Sequence, residues 1–246
     1  ARPINIATMS DLPGGTGLGS SSSFTVGFLN LINHIQKNDI DKLSLAKEAW
    51  RVEYSLLGEN VGVQDQLHAA FGGLNLYKLK GSNITIEPIQ TSNSFKQLLN
   101  NSLILVYSGI TRHASDVLKD QIENTKKKIN YQNINELVQI SIDAASKLNT
   151  IKDEELLLEE IGLMLHEAWK LKKSFSKKIT NSEIDDIYEK GISLGAYGGK
   201  LCGAGGGGFV MFLIDQKLKS KFVDCFGKKN VMDIALTNQG SEIFSI

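Results

Sequence analysis

The chain has 246 residues, 41% of them hydrophobic, and its 27 basic and 27 acidic side chains cancel to no net charge. That length buries a sizeable core in one or two domains, and the charge balance excludes a global field that would favour nucleic acid or an acidic membrane. Two cysteines, Cys202 and Cys225, exclude a disulfide framework or paired zinc motif, and with no secretory signal or bilayer-length apolar run the expected compartment is the cytoplasm.

In chain order, Ile4–Met9 predicts a strand leading into a glycine-rich loop from Pro13 to Gly19, which ends in four serines, Ser20–Ser23. Phe24, Phe28, Leu31, Ile32 and Ile35 recur at helical spacing and predict a helix directly after the loop. Asp41 predicts the cap of a second helix over about 43–57, stopped by Gly58. A short helix is expected over 64–71, ended by Gly72-Gly73, then strands over 74–79 and 84–89 around Gly81-Ser82-Asn83. A helical piece near 95–99 precedes the continuous apolar strand Leu103–Tyr107. Four helices are expected near 114–128, 134–148, 154–172 and 182–194. A second glycine loop, Gly203-Ala204-Gly205-Gly206-Gly207-Gly208, leads into a strand from Phe209. A helix near 216–226 and one or two strands from Val231 close the chain. Strands and helices alternate without the rhythm of a doubly wound sheet, which favours α+β. The basic clusters Lys126–Lys128, Lys172, Lys173, Lys177 and Lys178 read as solvated helix faces.

The first loop has the makings of a phosphate cradle. Glycines let backbone N–H groups crowd an anion, and a helix beginning at the serines adds unpaired donors and a positive dipole end. It is not a P-loop, for no Gly-Lys-Ser/Thr closes it. Nor does its spacing fit a dinucleotide fingerprint. The second loop matches G-x-G-x-x-G only nominally, since Phe209–Ile214 reads as a strand. No nucleophile elbow or zinc helix is present.

Together the two loops resemble the motifs of the GHMP kinases. The first is similar to the family's Pro-x-x-x-Gly-Leu-x-Ser-Ser through Pro13, Gly17, Leu18, Ser20 and Ser21, and the second to its glycine-rich third motif through Lys200 to Gly208. The resemblance implies an N-terminal domain like ribosomal protein S5 domain 2, about 1–97, and a ferredoxin-like C-terminal domain, about 98–246. The boundary is expected near Asn93–Ser102, with ATP and acceptor in the cleft between. Nothing matches the family's earlier first motif, so the chain is expected to lack an N-terminal portion, including the first strands of that domain, and to be weakly active at best alone.

Candidate site residues follow. Glu53 falls within the apolar stripe of Ala46, Ala49, Trp50 and Leu57. A carboxylate there is costly unless paired or cation-bound, and the helix pattern alone leaves a metal ligand and a buried ion pair equally open. Asp65 opens a short helix, where an acid often does no more than complement the dipole. By resemblance, Asp65 orients or deprotonates the acceptor hydroxyl, and a helix N-terminus is expected to keep it ionised. By the same resemblance the loop binds ATP through Pro13, Gly14 and Leu18 together with Gly15, Gly17 and Gly19, which wrap the β-phosphate, while Ser20 and Ser22 donate to phosphate oxygens and Ser21 joins Glu53 on Mg²⁺. Gly203, Gly205 and Gly206 approach the substrate, and Arg112 binds a phosphate already on it. Cys202 stands where the family often has threonine or serine. Segments Glu53–Gly58, Val63–Gln66, Phe71–Asn75 and Gly198–Lys200 look most like the bacterial heptose kinases of lipopolysaccharide or capsule precursor synthesis. The implied reaction is ATP-dependent phosphorylation of the anomeric hydroxyl of a heptose 7-phosphate. Kinases of fucose or galactose, and a non-catalytic nucleotide/sugar sensor, are the alternatives. The implied partner is a small sugar phosphate, and a homodimer is compatible with the resemblance.

Overall fold

The computed structural model describes residues 4–111 and 115–244. Its first part is helical. Helix α1 (Ser20–Gln36) starts on Gly19, whose left-handed backbone (φ 70°) breaks the loop into the helix, and stops at Lys37. Asp41 caps α2 (Lys42–Arg51) by accepting from the amides of Leu43 and Ser44. Helix α3 (Gln64–Phe71) follows, then a hairpin of β1 (Asn75–Lys80) and β2 (Asn83–Pro88). Val26, Leu45, Ala46, Ala49, Leu67 and Ala70 form the core of this part.

One expectation is corrected here, and the helix expected after the loop buries a face other than its most apolar one. Residues 4–9 form no strand, because no neighbouring strand among the described residues offers them a ladder. The buried face of α1 carries Ser22, Thr25 and Val26, while Phe24, Phe28 and Ile35 stay exposed. Phe24 and Phe28 stack on each other, with ring centroids 5.8 Å apart. Helical phase was readable from the sequence; which of two apolar faces meets the core was not.

The second part is built on a four-stranded antiparallel sheet in the order β4 (Gly198–Leu201), β5 (Phe209–Leu213), β3 (Leu103–Tyr107), β6 (Val231–Asp233). Strand β4 was not expected. Its two glycines disguise it: a Cβ on Gly198 would strike the backbone of Gly162 in α7 (Glu154–Lys173), which runs close above, and one on Gly199 would strike Met211 and Phe212 of the neighbouring strand. Helices α4 (Asn93–Ser102), α5 (Ser115–Lys126), α6 (Tyr131–Thr150), α8 (Ser182–Ser193) and α9 (Lys219–Phe226) complete this part. A short 3₁₀ turn, Gln216–Leu218, precedes α9, where the sequence suggested one continuous helix. Ile104, Trp169, Ile184, Phe212 and Phe222 lie in its main core. Phe95 and Leu99 of α4 pack into a second cluster with Leu157, Leu158 and Leu213.

The tail after β6 returns to the first part. The Gly73 amide donates to Thr237 O (2.8 Å) and the Ser241 amide to Ala69 O (2.8 Å). Gly72 (φ 65°) has Gln239 so close that no Cβ fits. The double glycine after α3 therefore seats the tail.

Candidate active site

Between the two parts lies a cleft of 710 Å³, and both glycine loops face it. Gly15, Gly17 and Gly19 hold φ of 76°, 80° and 70°, and Gly203, Gly205 and Gly206 hold 69°, 128° and 79°. The loops touch backbone to backbone. A Cβ on Gly17 would sit 2.7 Å from Cys202 O, and one on Gly203 would sit 2.6 Å from Gly17 Cα. The Phe209 amide donates to Thr16 O (3.3 Å) and closes the seam. Glycine is needed at Gly17 on two counts, left-handed backbone and absence of a side chain. We expect Gly17→Ala to part the loops and cost about 1–2 kcal/mol from backbone strain alone. Chemical denaturation with and without ATP reads both losses; an unchanged midpoint and ATP affinity would contradict the seam.

Not every expected residue lines the cleft. Gly15, Gly17, Gly19, Ser20, Ser21, Ser22 and Gly203 do, whereas Pro13, Gly14 and Leu18 lie outside the lining. Pro13 instead accepts from Thr16 Oγ1 (3.2 Å). Gly205 and Gly206 turn away from it: the Gly206 amide donates to Ile179 O (2.8 Å), and a Cβ on Gly205 would meet Ile179 Cα at 2.8 Å. They shape the loop against the segment after α7. Arg112 lies outside the described residues.

The helix expected over 43–57 ends early. After α2 the chain takes a π-helical turn over Val52–Leu56, with the Leu57 amide donating to Val52 O (3.0 Å). The widened turn carries Glu53 inward and leaves Tyr54, Leu56 and Leu57 exposed, so Leu57 does not extend the apolar stripe. Such insertions often occur at functional sites. Glu53 is only 1% exposed. Its Oε1 accepts from Ser21 Oγ (2.6 Å) and its Oε2 from Ser22 Oγ (2.9 Å) and from Gln66 Nε2. Ser22 and Gln66 as partners were not foreseeable, since they converge from α1 and α3 only in three dimensions.

Among the described residues no basic side chain forms an ion pair with Glu53. A buried carboxylate without a counter-charge is costly. Beside it, Gln66 Oε1 is buried and has no hydrogen-bond partner. A carboxylate, a hydroxyl at the cleft wall and an unused amide oxygen are hard donors in the small number that Mg²⁺ takes from a protein. The residues present fit that ion.

Asp65 stands in the first turn of α3, and a Cβ added to Gly19 would lie 3.5 Å from its carboxylate. The helix end was expected to keep it ionised, but its pKa is shifted upward. Partial loss of solvent in the cleft raises its pKa, Glu53 adds to the rise, and His68, Lys200 and Lys172 oppose it. A carboxyl held above its usual range is a better proton acceptor.

Residues 2–73 match the family model described as the GHMP kinases N terminal domain, and residues 153–231 the GHMP kinases C terminal model. The chain is 30% identical to a D-glycero-alpha-D-manno-heptose 7-phosphate kinase of Campylobacter jejuni, covering 99% of this chain and 71% of that protein. It is 27% identical to a galactokinase of Pyrococcus furiosus over 84% of this chain and 63% of the relative. A crystal structure of a putative sugar kinase from Campylobacter jejuni superposes with a TM-score of 0.69 at 28% identity, covering 94% of this chain and 65% of that one. A D-glycero-D-manno-heptose 1-phosphate kinase from Bacteroides thetaiotaomicron shares the fold, with a TM-score of 0.67, 24% identity, and 96% and 66% of the two chains covered. The chain thus spans 63–71% of the length of these relatives.

Proposed function

The chain belongs to the GHMP kinases, and on that premise we propose that it transfers the γ-phosphoryl group of ATP to the anomeric hydroxyl of a heptose 7-phosphate. The product is the 1,7-bisphosphate. What carries this reading is the junction of the two loops, with the buried Glu53 carboxylate on Ser21 and Ser22 beneath and Asp65 against Gly19. The amides of Gly15, Gly17 and Gly19 bind the β-phosphate, helped by the Ser20 hydroxyl and the N-terminus of α1, whereas Ser22, expected to donate to phosphate, gives its one proton to Glu53 instead. Ser21 and Glu53 hold the cation. A Mg²⁺ held by these two residues would supply positive charge to the triphosphate.

Asp65 accepts a hydrogen bond from the anomeric hydroxyl and takes its proton as the oxygen attacks. Anomeric hydroxyls are more acidic than ordinary alcohols, so a carboxylate suffices as base. The similarity to the Campylobacter jejuni heptose kinase supports the choice of sugar, and with it a place in lipopolysaccharide or capsule precursor synthesis in the cytoplasm. No described helix is long and apolar enough to cross a membrane. We read residues 1–97 as the S5-like domain and 98–246 as the ferredoxin-like one. The separate cores and the four-stranded antiparallel sheet support two units, and α4, packed through Phe95 and Leu99 on Leu157, Leu158 and Leu213, goes with the second.

The test is ATP consumption by the full-length protein over heptose 7-phosphate, fucose and galactose. Turnover with heptose 7-phosphate, and little with the other two, is expected. A signal with fucose or galactose alone would overturn the substrate, and ATP binding without turnover on any sugar would favour a sensor.

A further inference from the structure

The first loop contains no basic residue: from Pro13 to Ser23 every side chain is apolar or neutral. Phosphoryl transfer nevertheless needs positive charge around the group in flight. Of the described residues that line the cleft, four are charged: Glu53, Asp65, Lys172 and Lys200. Neither lysine forms an ion pair with a carboxylate among the described residues.

Their position is fixed by a chain of contacts. Lys172, in the last turn of α7, donates from Nζ to Gly203 O (2.5 Å). Gly203 rests on Gly17, and Gly19, two residues on, rests on the Asp65 side chain. Lys200 lies on β4, immediately before the second loop. The cationic pair therefore sits where the end of a triphosphate held by the first loop meets the general base.

We propose that Lys172 and Lys200 form the subsite for the phosphoryl group in transfer, supplying the positive charge that the glycine loop lacks. This rests on the kinase reading of the cleft. During the step the bond from γ-phosphorus to the β–γ bridging oxygen breaks, and ADP leaves with the electron pair. The new P–O bond forms to the acceptor oxygen, and its proton goes to Asp65. The three peripheral oxygens carry the charge that the two ammonium groups meet. A phosphate already present on the acceptor is a different occupant, and the test below separates the two.

The electrostatics of Lys172 give the subsite a signature. Loss of solvent, then the neighbouring Lys200, draws its pKa down to about 8, with Cys202 and Asp65 opposing. Those three groups, from β4, the second loop and α3, are the ionisable ones that act on it. Burial raises the Cys202 thiol above its ordinary value. An anion in the subsite raises the Lys172 pKa, so affinity for that anion falls as pH rises through about 8.

The experiment measures ADP affinity of the full-length protein with Mg²⁺, with and without aluminium fluoride as a mimic of the group in flight. In wild type the fluoride tightens ADP binding, and the gain shrinks from pH 7 to pH 9. Lys172→Met and Lys200→Met each lose the gain by roughly 10-fold to 100-fold, with affinity for ADP alone unchanged. Lys172→Arg keeps the gain but abolishes its pH dependence, since arginine stays charged. Should Lys172→Met misfold for want of its bond to Gly203, Lys200→Met and Lys172→Arg carry the test. A fluoride gain that both of these variants retain with wild-type strength and pH dependence overturns the proposal. So does a loss confined to sugar-phosphate affinity, which would assign the lysines to the acceptor's own phosphate. Failure of ADP to bind wild type at all would instead overturn the kinase reading itself.

Discussion

Asp65→Asn is expected to lower turnover by about 10²- to 10⁴-fold, the usual worth of a positioned proton acceptor, without weakening ATP binding. Asparagine keeps the shape of the side chain against Gly19 and still accepts a hydrogen bond from the acceptor, but it cannot take a proton. Stability should move the other way. The cleft raises the Asp65 pKa, chiefly through loss of solvent, so the folded protein holds that proton more tightly than the unfolded chain does. Above the unfolded pKa of about 3.9 the group therefore subtracts stability as pH rises, until it ionises in the fold as well. Asparagine removes that subtraction, so the denaturation midpoint at pH 7 should stay level or rise. Wild-type turnover should also fall on acidification through the raised pKa, a limb missing from any residual activity of the variant. Turnover within a fewfold of wild type would remove Asp65 from the chemistry.

Substitutions at Glu53 should separate its two duties. Glu53→Ala leaves the Ser22 hydroxyl and the Gln66 amide without their acceptor in a buried site, at a cost of about 2–4 kcal/mol in unfolding free energy. Glu53→Gln keeps an acceptor oxygen and the side-chain volume, so it should cost about 1 kcal/mol. It removes the charge, however. ATP affinity measured with Mg²⁺ and then with a chelator should differ in wild type, and that difference should shrink by roughly 10-fold or more in Glu53→Gln. If the two Glu53 variants were equally unstable and kept full Mg²⁺ dependence, the carboxylate would be a packing element only.

The two loops were legible because their chemistry is local. Glycines at Gly15, Gly17 and Gly19 signal left-handed backbone wherever they fold, and serines before a helical pattern signal a helix start. Glu53 was legible from helical phase, although the structure delivers it through a π turn that phase alone does not reveal. Long-range convergence was not. Lys172 reads as part of a solvated basic cluster, because nothing in the sequence says that the end of α7 meets Gly203. Strand β4 was hidden by glycines that answer a helix packed above Gly198 and the β5 strand beside Gly199, and the rise in the Asp65 pKa comes from walls contributed by distant elements.

Hydrogen–deuterium exchange of the full-length protein, with and without ATP and Mg²⁺, most directly tests whether both glycine loops hold the triphosphate. Peptides spanning residues 13–23 and 202–209 should gain protection together, at the same ATP concentration. Protection of only one of them, or of neither while ATP is demonstrably bound, would contradict it.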